Sequence, residues 1–327
     1  MRRRLAWVAA VVLVLLLVAG VAFIALGDRR SGPVQASPEA FVSSTLTLLD
    51  VRTDAGPLLA VVGSSGTPAS AAIVIPSNVL ITIPGEGDGT TTEAALLPGR
   101  EAATSIANLL GVWVPHYAVT NTARLARVVD RAGGIQVFGQ TRSGSEVTDI
   151  LNERGAAPAL QWREIVDGLL SEGVTWQETD LIELDDSSVP GLLAAAAGAS
   201  AQVLPTEQAT RGLKQPDQSG TAQMMTTAFG APDRIPIPVV VLNGSGVPGI
   251  GEPVAERLIP AGFRIVVNGN ASSFDHDATL IVAGTEEEQG SAERVREALG
   301  VGEVSISGIR SGLGDVTIVV GKDFKTG

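Results

Sequence analysis

Residues 5–26 are the sequence feature that most restricts how this chain can fold. They contain no charged side chain. A helix of this length, rising about 1.5 Å per residue, would be about 33 Å long, enough to cross the hydrocarbon core of a membrane. The apolar part of a cleavable signal peptide is shorter, about 7 to 15 residues. We therefore predict a transmembrane helix over residues 5–26, with a cleaved signal peptide as the alternative.

The charges that flank this segment predict its orientation. Three arginines at positions 2–4 precede it, whereas an aspartate at position 28 partly offsets the two arginines that follow it. Basic residues remain on the cytoplasmic side of a membrane helix. The prediction is a single-pass protein of the cell membrane. Residues 1–4 form a cytoplasmic tail, residues 27–38 form a linker, and the bulk of the chain is extracytoplasmic.

Composition excludes several classes of protein. The net charge of -12 has the wrong sign for neutralising nucleic-acid phosphates, so no nucleic-acid partner is expected. The absence of cysteine excludes disulfide scaffolds, thiolate metal sites and cysteine nucleophiles. His116 and His276 are the two histidines of the sequence, too few for a multi-histidine centre, and the sequence assigns no metal ligand.

Residues 39–230 combine strand and helix patterns, which predicts a domain of the α/β or α+β class. Short segments rich in Val, Ile and Leu, separated by turn residues, predict strands. Longer segments of helical pattern follow, and Ser143 and Glu146 have the spacing of a capping box. The predicted strands are residues 46–49, 58–62, 72–75 and 79–83, and the predicted helices are residues 99–110, 122–132 and 144–154. Residues 75–79 are expected to connect a hairpin.

A proline-rich stretch over residues 231–238 predicts a linker to a second domain, residues 239–325. The pattern beyond the linker has the order β-α-β-β-α-β with one final strand. This order is typical of a split βαβ sandwich with one sheet and two helices. Its first helix is predicted over residues 253–261, with Gly262 at its C-terminal cap.

Parts of the sequence resemble the LytR-CpsA-Psr family of envelope proteins. VDRAGGIQV, residues 129–137, is similar to the family motif V-D-x-x-G-G-V-x-V, and IVIPSNVLITIPG, residues 73–85, is similar to a family hairpin. VVVLNGSGVPGIGEPVAERLIPAGF and the closing VTIVVGKDF resemble the small LytR-type C-terminal domain of many actinobacterial members. The resemblance implies a membrane-anchored protein with an outer catalytic-type domain and this small domain after it.

The resemblance also implies a chemistry, from which this sequence departs. Family members transfer a glycopolymer from a polyprenyl pyrophosphate to peptidoglycan, with a divalent metal, arginines and carboxylates. Ser77 and Asn78 stand where the family hairpin has Arg and Asp. The remnants of the charged site are Asp50, Arg52, Asp54, Arg154 and Arg163.

Two groups of residues are candidates for ligand binding. Asp50, Arg52 and Asp54 alternate, so on one strand they would line a single face and could hold a metal and a phosphate, or they could form a solvated strand end. Gly244, Ser245 and Gly246 lie in a G-x-G-x-x-G run between a strand and a helix. The glycines are expected to form a tight turn, with an anion at the helix N-terminus as the candidate ligand and no dinucleotide.

These observations favour an envelope protein that binds without catalysis. Its expected ligands are a polyprenyl-linked glycopolymer, a polyprenyl lipid or peptidoglycan-associated partners. An active glycopolymer transferase is the first alternative, and it alone would require Mg²⁺ or Mn²⁺. A scaffold for envelope proteins is the second alternative. No cofactor is otherwise expected.

Overall fold

The computed structural model describes residues 45–63, 70–153 and 158–326. Within these ranges, every helix is too short or too polar to cross a membrane. The predicted membrane helix, the linker over residues 27–38 and Arg154 all lie outside the described residues. The described chain is a mixture of helices and strands. It divides into two compact units, one mainly before Ile237 and one mainly from Ile237 onward.

The N-terminal unit contains a six-stranded mixed sheet. Its strands are β1 (Thr47–Arg52), β2 (Leu58–Gly63), β3 (Ala71–Ile75), β6 (His116–Asn121), β9 (Glu183–Leu184) and β10 (Ser200–Val203). Their order is β10-β3-β2-β1-β6-β9, with β1 parallel to β6 and β9 antiparallel to β6. Three two-stranded sheets accompany it, made of β4 (Leu80–Ile83) with β5 (Gly87–Thr90), β7 (Ile135–Val137) with β8 (Gln140–Arg142), and β11 (Thr206–Gln208) with β12 (Lys214–Pro216).

Seven helices are described in this unit. They are α1 (Thr91–Ala94), α2 (Gly99–Leu110), α3 (Thr122–Arg131), α4 (Gly144–Asn152), α5 (Pro158–Leu169), α6 (Val189–Ala195) and α7 (Gln218–Phe229). The prediction for α2 is confirmed at both ends, and α3 and α4 begin where predicted and end slightly earlier. The capping box is also confirmed, because the Ser143 amide donates to Glu146 Oε2 (2.8 Å) and the Glu146 amide donates to Ser143 Oγ (3.4 Å).

Alternate side chains of β1 point to opposite faces of the sheet, one of which packs against a buried apolar cluster. Leu49 and Val51 belong to a buried apolar cluster that also contains Leu125 of α3, Val147 of α4 and Ile165 of α5. Successive residues of a strand point to opposite faces of a sheet. Leu48 and Asp50 therefore face away from this cluster, toward the side of the sheet on which α2 packs.

The prediction that residues 75–79 connect a hairpin is wrong. β3 pairs with β2 and β10 of the large sheet, whereas β4 pairs with β5. Pro76 has no amide with which to continue the sheet, and Asn78 has a left-handed backbone with φ of 60°. These two residues turn the chain out of the sheet, so the next strand forms elsewhere.

The C-terminal unit has the predicted order of elements. Its elements are β13 (Ile237–Asn243), α8 (Gly251–Leu258), β14 (Phe263–Asn270), β15 (Leu280–Ala283), α9 (Gln289–Leu299), β16 (Glu303–Ile306) and β17 (Val316–Val320). The five strands form one sheet in the order β14-β13-β17-β15-β16. The first helix differs from the prediction, because α8 begins at Gly251, ends at Leu258 and has Ile259 as its C-terminal cap. Gly262 instead lies in the turn before β14.

Candidate functional site

Asp50 and Arg52 form an ion pair at the end of β1, in which Asp50 is buried and Arg52 is partly exposed. The register places Asp50 between Leu59 of β2 and Val119 of β6, and its side chain is fully shielded from solvent. Arg52 Nε donates to Asp50 Oδ2 at 3.1 Å, and Arg52 Nη2 donates to the Leu97 carbonyl at 3.0 Å. Arg52 therefore ties a buried carboxylate of the sheet to the loop that precedes α2.

The Asp50 carboxyl titrates far from its usual range. The pKa of Asp50 is raised to about 6, mainly because burial disfavours the charged form; the hydrogen bond and charge of Arg52 offset this in part, and the nearby Glu183 charge adds a smaller upward contribution. Asp50 Oδ1 accepts no hydrogen bond from the described residues. A carboxyl with this pKa can hold or release a proton near neutral pH, and its second oxygen is available as an acceptor.

Glu183 connects this pair to the start of α2. Pro98 precedes the helix and offers no side-chain cap, and Glu183 Oε1 instead accepts the Gly99 amide at 3.0 Å. Glycine is needed there because a Cβ on Gly99 would lie 2.3 Å from the Tyr117 ring. Burial, followed by the Glu183 charge, raises the pKa of Tyr117. One carboxylate thus caps α2 and modulates both Asp50 and Tyr117.

The sequence did not identify Glu183 or Tyr117 as site residues. Glu183 reaches the site because the two-residue strand β9 pairs with β6, opposite Val119. A strand this short has no periodicity that a sequence pattern could reveal. The available signal was limited to the acidic run over residues 183–186 and to a glycine at a predicted helix start.

Asp54 does not join Asp50 and Arg52, so the expectation of one shared strand face is wrong. β1 ends at Arg52, and a tight turn follows, closed by the Gly56 amide donating to the Thr53 carbonyl at 3.2 Å. Asp54 lies exposed within this turn. The predicted pair of carboxylates is therefore not formed, and Arg52 already occupies one oxygen of Asp50. This donor set does not fit a divalent metal.

Arg163 also lies away from the pair. It is on α5, where it pairs with Glu164 and lies 4.0 Å from Asp167. The buried residues of α5 pack on the sheet face that carries Leu49 and Val51, opposite to the face that carries Asp50. Of the five predicted remnants, the structure brings together Asp50 and Arg52, and Arg154 is not described.

The Gly244, Ser245 and Gly246 run forms a turn whose amides donate within the chain. The Gly244 amide donates to the Val320 carbonyl, and the amides of Ser245 and Gly246 both donate to Asn243 Oδ1 at 3.1 and 3.0 Å. Helix α8 begins only at Gly251. These residues make the tight turn that was expected, and anion binding at this position stays a prediction.

Comparison with known proteins gives one family match and several similar structures. Residues 236–324 match the family model described as LytR cell envelope-related transcriptional attenuator. No curated protein matches the chain by sequence.

Three similar structures each match over a little more than half of this chain. A transcriptional regulator from Enterococcus faecalis is 16% identical, with 58% of this chain and 88% of that chain covered and a TM-score of 0.45. The LytR-CPS2A-psr family protein TagT with bound octaprenyl pyrophosphate lipid is 15% identical, with 57% and 90% covered and a TM-score of 0.46. TagU of Bacillus subtilis is 15% identical, with 56% and 94% covered and a TM-score of 0.43.

The family match covers the segment whose sequence resembled the LytR-type C-terminal domain, and it confirms that resemblance. The matched residues include every strand and both helices described in the C-terminal unit. The match begins at residue 236, within the proline-rich linker. Residues 236–324 of this chain are therefore similar to the LytR cell envelope-related transcriptional attenuator family model.

Proposed function

We propose that this chain is a membrane-anchored protein of the cell envelope whose N-terminal unit binds a polyprenyl-linked glycopolymer without transferring it. The observation that carries the proposal is that Asp54 and Arg163 lie apart from Asp50 and Arg52 in the N-terminal unit. The buried Asp50 keeps its ion pair with the partly exposed Arg52, whereas the other charges that a transferase would need are replaced or lie elsewhere. The C-terminal family match supports the location in the envelope.

The guanidinium of Arg52 is the proposed contact for the phosphate of such a ligand. Its side chain is 38% exposed, and Nε and Nη2 are engaged by Asp50 and by the Leu97 carbonyl. Among the described residues, this leaves Nη1 for a ligand. Guanidinium groups bind phosphate oxygens strongly because the hydrogen bonds are charge-assisted.

The loss of charge in the turn after β3 supports a role without catalysis. Asn78 adopts a left-handed backbone, its amide donates to Thr92 Oγ1 (3.3 Å), and its carbonyl accepts the Lys214 amide (2.9 Å). Asn78 thus has a structural role in this turn and supplies no charge. Removing one oriented group beside a developing charge costs about 3 to 4 kcal/mol of transition-state stabilisation. Two such losses would remove most of the rate.

An active transferase is the second candidate, favoured by the pKa of Asp50 near neutral pH. Such a carboxyl could take the proton from an attacking hydroxyl. This alternative would use Mg²⁺ or Mn²⁺, for which the described residues around Asp50 do not offer a second free carboxylate. A pure scaffold for envelope proteins, with no lipid or glycan ligand, is the third candidate.

Native mass spectrometry of the full chain in detergent micelles tests the proposal, with octaprenyl pyrophosphate as the probe. The expected result is a bound lipid with the wild type and at least tenfold weaker binding after Arg52→Ala. Arg163→Ala, a change at the arginine on the opposite sheet face, is the matched control and should bind as the wild type does. Equal binding by all three proteins would contradict the assignment of Arg52.

A turnover assay on the same preparation separates the candidates. The full chain is given a polyprenyl pyrophosphate glycan, peptidoglycan and Mg²⁺ or Mn²⁺, and lipid phosphate release is measured against a sample without protein. We expect no release above that background. Metal-dependent release that Arg52→Ala abolishes would establish the transferase. The absence of both lipid binding and lipid phosphate release would favour the scaffold.

A further inference from the structure

Three side chains with metal-binding atoms meet where β6 begins and β9 ends. His116 Nδ1 lies 2.7 Å from Asp185 Oδ2 and 3.7 Å from Asp186 Oδ2. All three ligand atoms lie within 4.8 Å of one another. A cation about 2.1 Å from each of several tetrahedral donors separates those donors by about 3.4 Å. The observed spacing brackets this value, so small side-chain rotations would bring all three atoms to one ion.

The backbone fixes each of the three residues before any ion binds. His116 is the first residue of β6, and its amide donates to the Leu46 carbonyl at 3.2 Å. Asp185 Oδ1 accepts the Tyr117 amide at 3.0 Å, and Asp186 Oδ1 accepts the Ser188 amide at 2.6 Å. One oxygen of each carboxylate is thus anchored by a backbone amide, and the other oxygen faces the imidazole. Hydrogen bonds of this kind orient metal ligands in known sites.

The charges around the cluster favour a divalent cation. Glu183, Asp185 and Asp186 carry three carboxylates in one short segment, and Arg100 Nη2 lies 4.0 Å from Asp185 Oδ2. Arg100 is held by the Pro115 carbonyl (2.9 Å) and lies over the Tyr117 ring. One guanidinium does not balance the carboxylates, and a dication would supply the missing positive charge.

We propose that His116, Asp185 and Asp186 form a binding site for a transition-metal dication of the Zn²⁺ or Mn²⁺ class. One imidazole nitrogen and two carboxylate oxygens are a donor set that such ions accept, whereas Mg²⁺ and Ca²⁺ prefer oxygen alone. The neutral imidazole would carry its proton on Nε2 and present Nδ1 to the ion. The Asp186 side chain is 50% exposed, which leaves room for water to complete the coordination. The sequence assigned no metal ligand, and this site does not depend on the role proposed for Arg52.

Nuclear magnetic resonance of the two histidines tests the proposal directly. The full chain in detergent micelles, with labelled histidine, is titrated with Mn²⁺, whose unpaired electrons broaden nearby resonances. We expect the His116 imidazole signals to disappear at Mn²⁺ concentrations that leave His276 unchanged. His276 is the internal control for nonspecific binding, because it also has aspartates beside it in the sequence, Asp275 and Asp277. Equal broadening of both histidines, or of neither, would overturn the proposal.

Calorimetry with Zn²⁺ on variants provides the second measurement. Asp186→Asn removes a half-exposed ligand while its Oδ1 can still accept the Ser188 amide, so the protein should fold, and we expect at least a tenfold loss of Zn²⁺ affinity. His116→Ala should lose at least as much. Asp277→Asn, a change beside the other histidine, should bind as the wild type does. Unchanged affinity in Asp186→Asn would contradict the assignment, and binding of Mg²⁺ as tight as that of Zn²⁺ would contradict the class of ion.

Discussion

At the scale of single residues, the fully buried environment of Asp50 conflicts with the charge of its carboxylate. A carboxyl that is fully shielded from water costs free energy unless it is paired and hydrogen-bonded. Arg52 provides one such bond, but Oδ1 of Asp50 has none among the described residues. The raised pKa is the measurable consequence of this incomplete compensation.

The first prediction concerns the pH dependence of stability. Because the pKa of Asp50 rises from 3.8 to about 6 on folding, the folded unit holds this proton more tightly than the unfolded chain does. The stabilising contribution is complete below about pH 4 and is lost as the pH rises through about 6. A shift of about two pKa units corresponds to about 3 kcal/mol.

Denaturant unfolding at several pH values, with the wild type and Asp50→Asn side by side, measures this effect. The free energy of unfolding of the wild type, relative to the variant, should fall by about 2.4 kcal/mol between pH 4 and pH 7. Asp54→Asn, a change in the exposed turn, should leave the pH profile of the wild type unaltered. A difference between wild type and Asp50→Asn that is constant with pH would show that Asp50 does not titrate in this range.

At the scale of elements, close approach between helices decides where glycine is required. Gly144 is the first residue of α4, and a Cβ there would lie 2.3 Å from the Ala126 carbonyl oxygen of α3. The Gly144 amide also donates to Asp130 Oδ1 at 2.7 Å. Since the obstructing atoms belong to the backbone, α3 and α4 must move apart if Gly144 is replaced by a residue with a Cβ.

The second prediction compares two glycines in helices of the same unit. Gly144→Ala should lower the free energy of unfolding by about 1 to 3 kcal/mol, because α3 and α4 must separate. Gly191→Ala in α6 places its Cβ in open space, so it should raise stability by about 0.5 to 1 kcal/mol through helix propensity. Denaturant unfolding monitored by circular dichroism measures both changes in stability. If Gly144→Ala leaves the free energy of unfolding unchanged or raises it, α3 and α4 can separate at little free-energy cost.

At the scale of the whole molecule, each unit has its own buried core. In the C-terminal unit, Leu258 of α8 and Leu299 of α9 are fully buried, together with Val239 of β13 and Ile318 of β17. The tail is fastened by Asp323, whose Oδ1 accepts the Thr279 amide at 2.8 Å and the Thr279 hydroxyl at 2.7 Å. Units with separate cores can fold as separate cooperative units.

The third prediction is that the two units of the full chain unfold in separate transitions. Asp323→Ala leaves the buried Thr279 without its acceptor and should destabilise the C-terminal unit by about 1.5 to 3 kcal/mol. Gly144→Ala should lower the midpoint of the other transition only. Calorimetry of both variants shows which transition moves. A shift of one common transition by both substitutions would mean that the units unfold together.

The sequence by itself determined the local elements and the order of the C-terminal unit. Helix α2 matches its prediction at both ends, and the Ser143 capping box forms, because periodicity and capping depend on neighbours in the chain. The alternation along β1 also predicted that Arg52 lies beside Asp50, whereas the other neighbours of Asp50 were decided only by the tertiary structure. A tight turn after β1 places Asp54 away from Asp50, and the packing of α5 places Arg163 on the opposite face of the sheet. Pairing of the short strand β9 with β6 places Glu183 near Asp50. Pairing of distant strands and the face on which a helix packs depend on contacts between residues far apart in sequence, which local patterns do not encode.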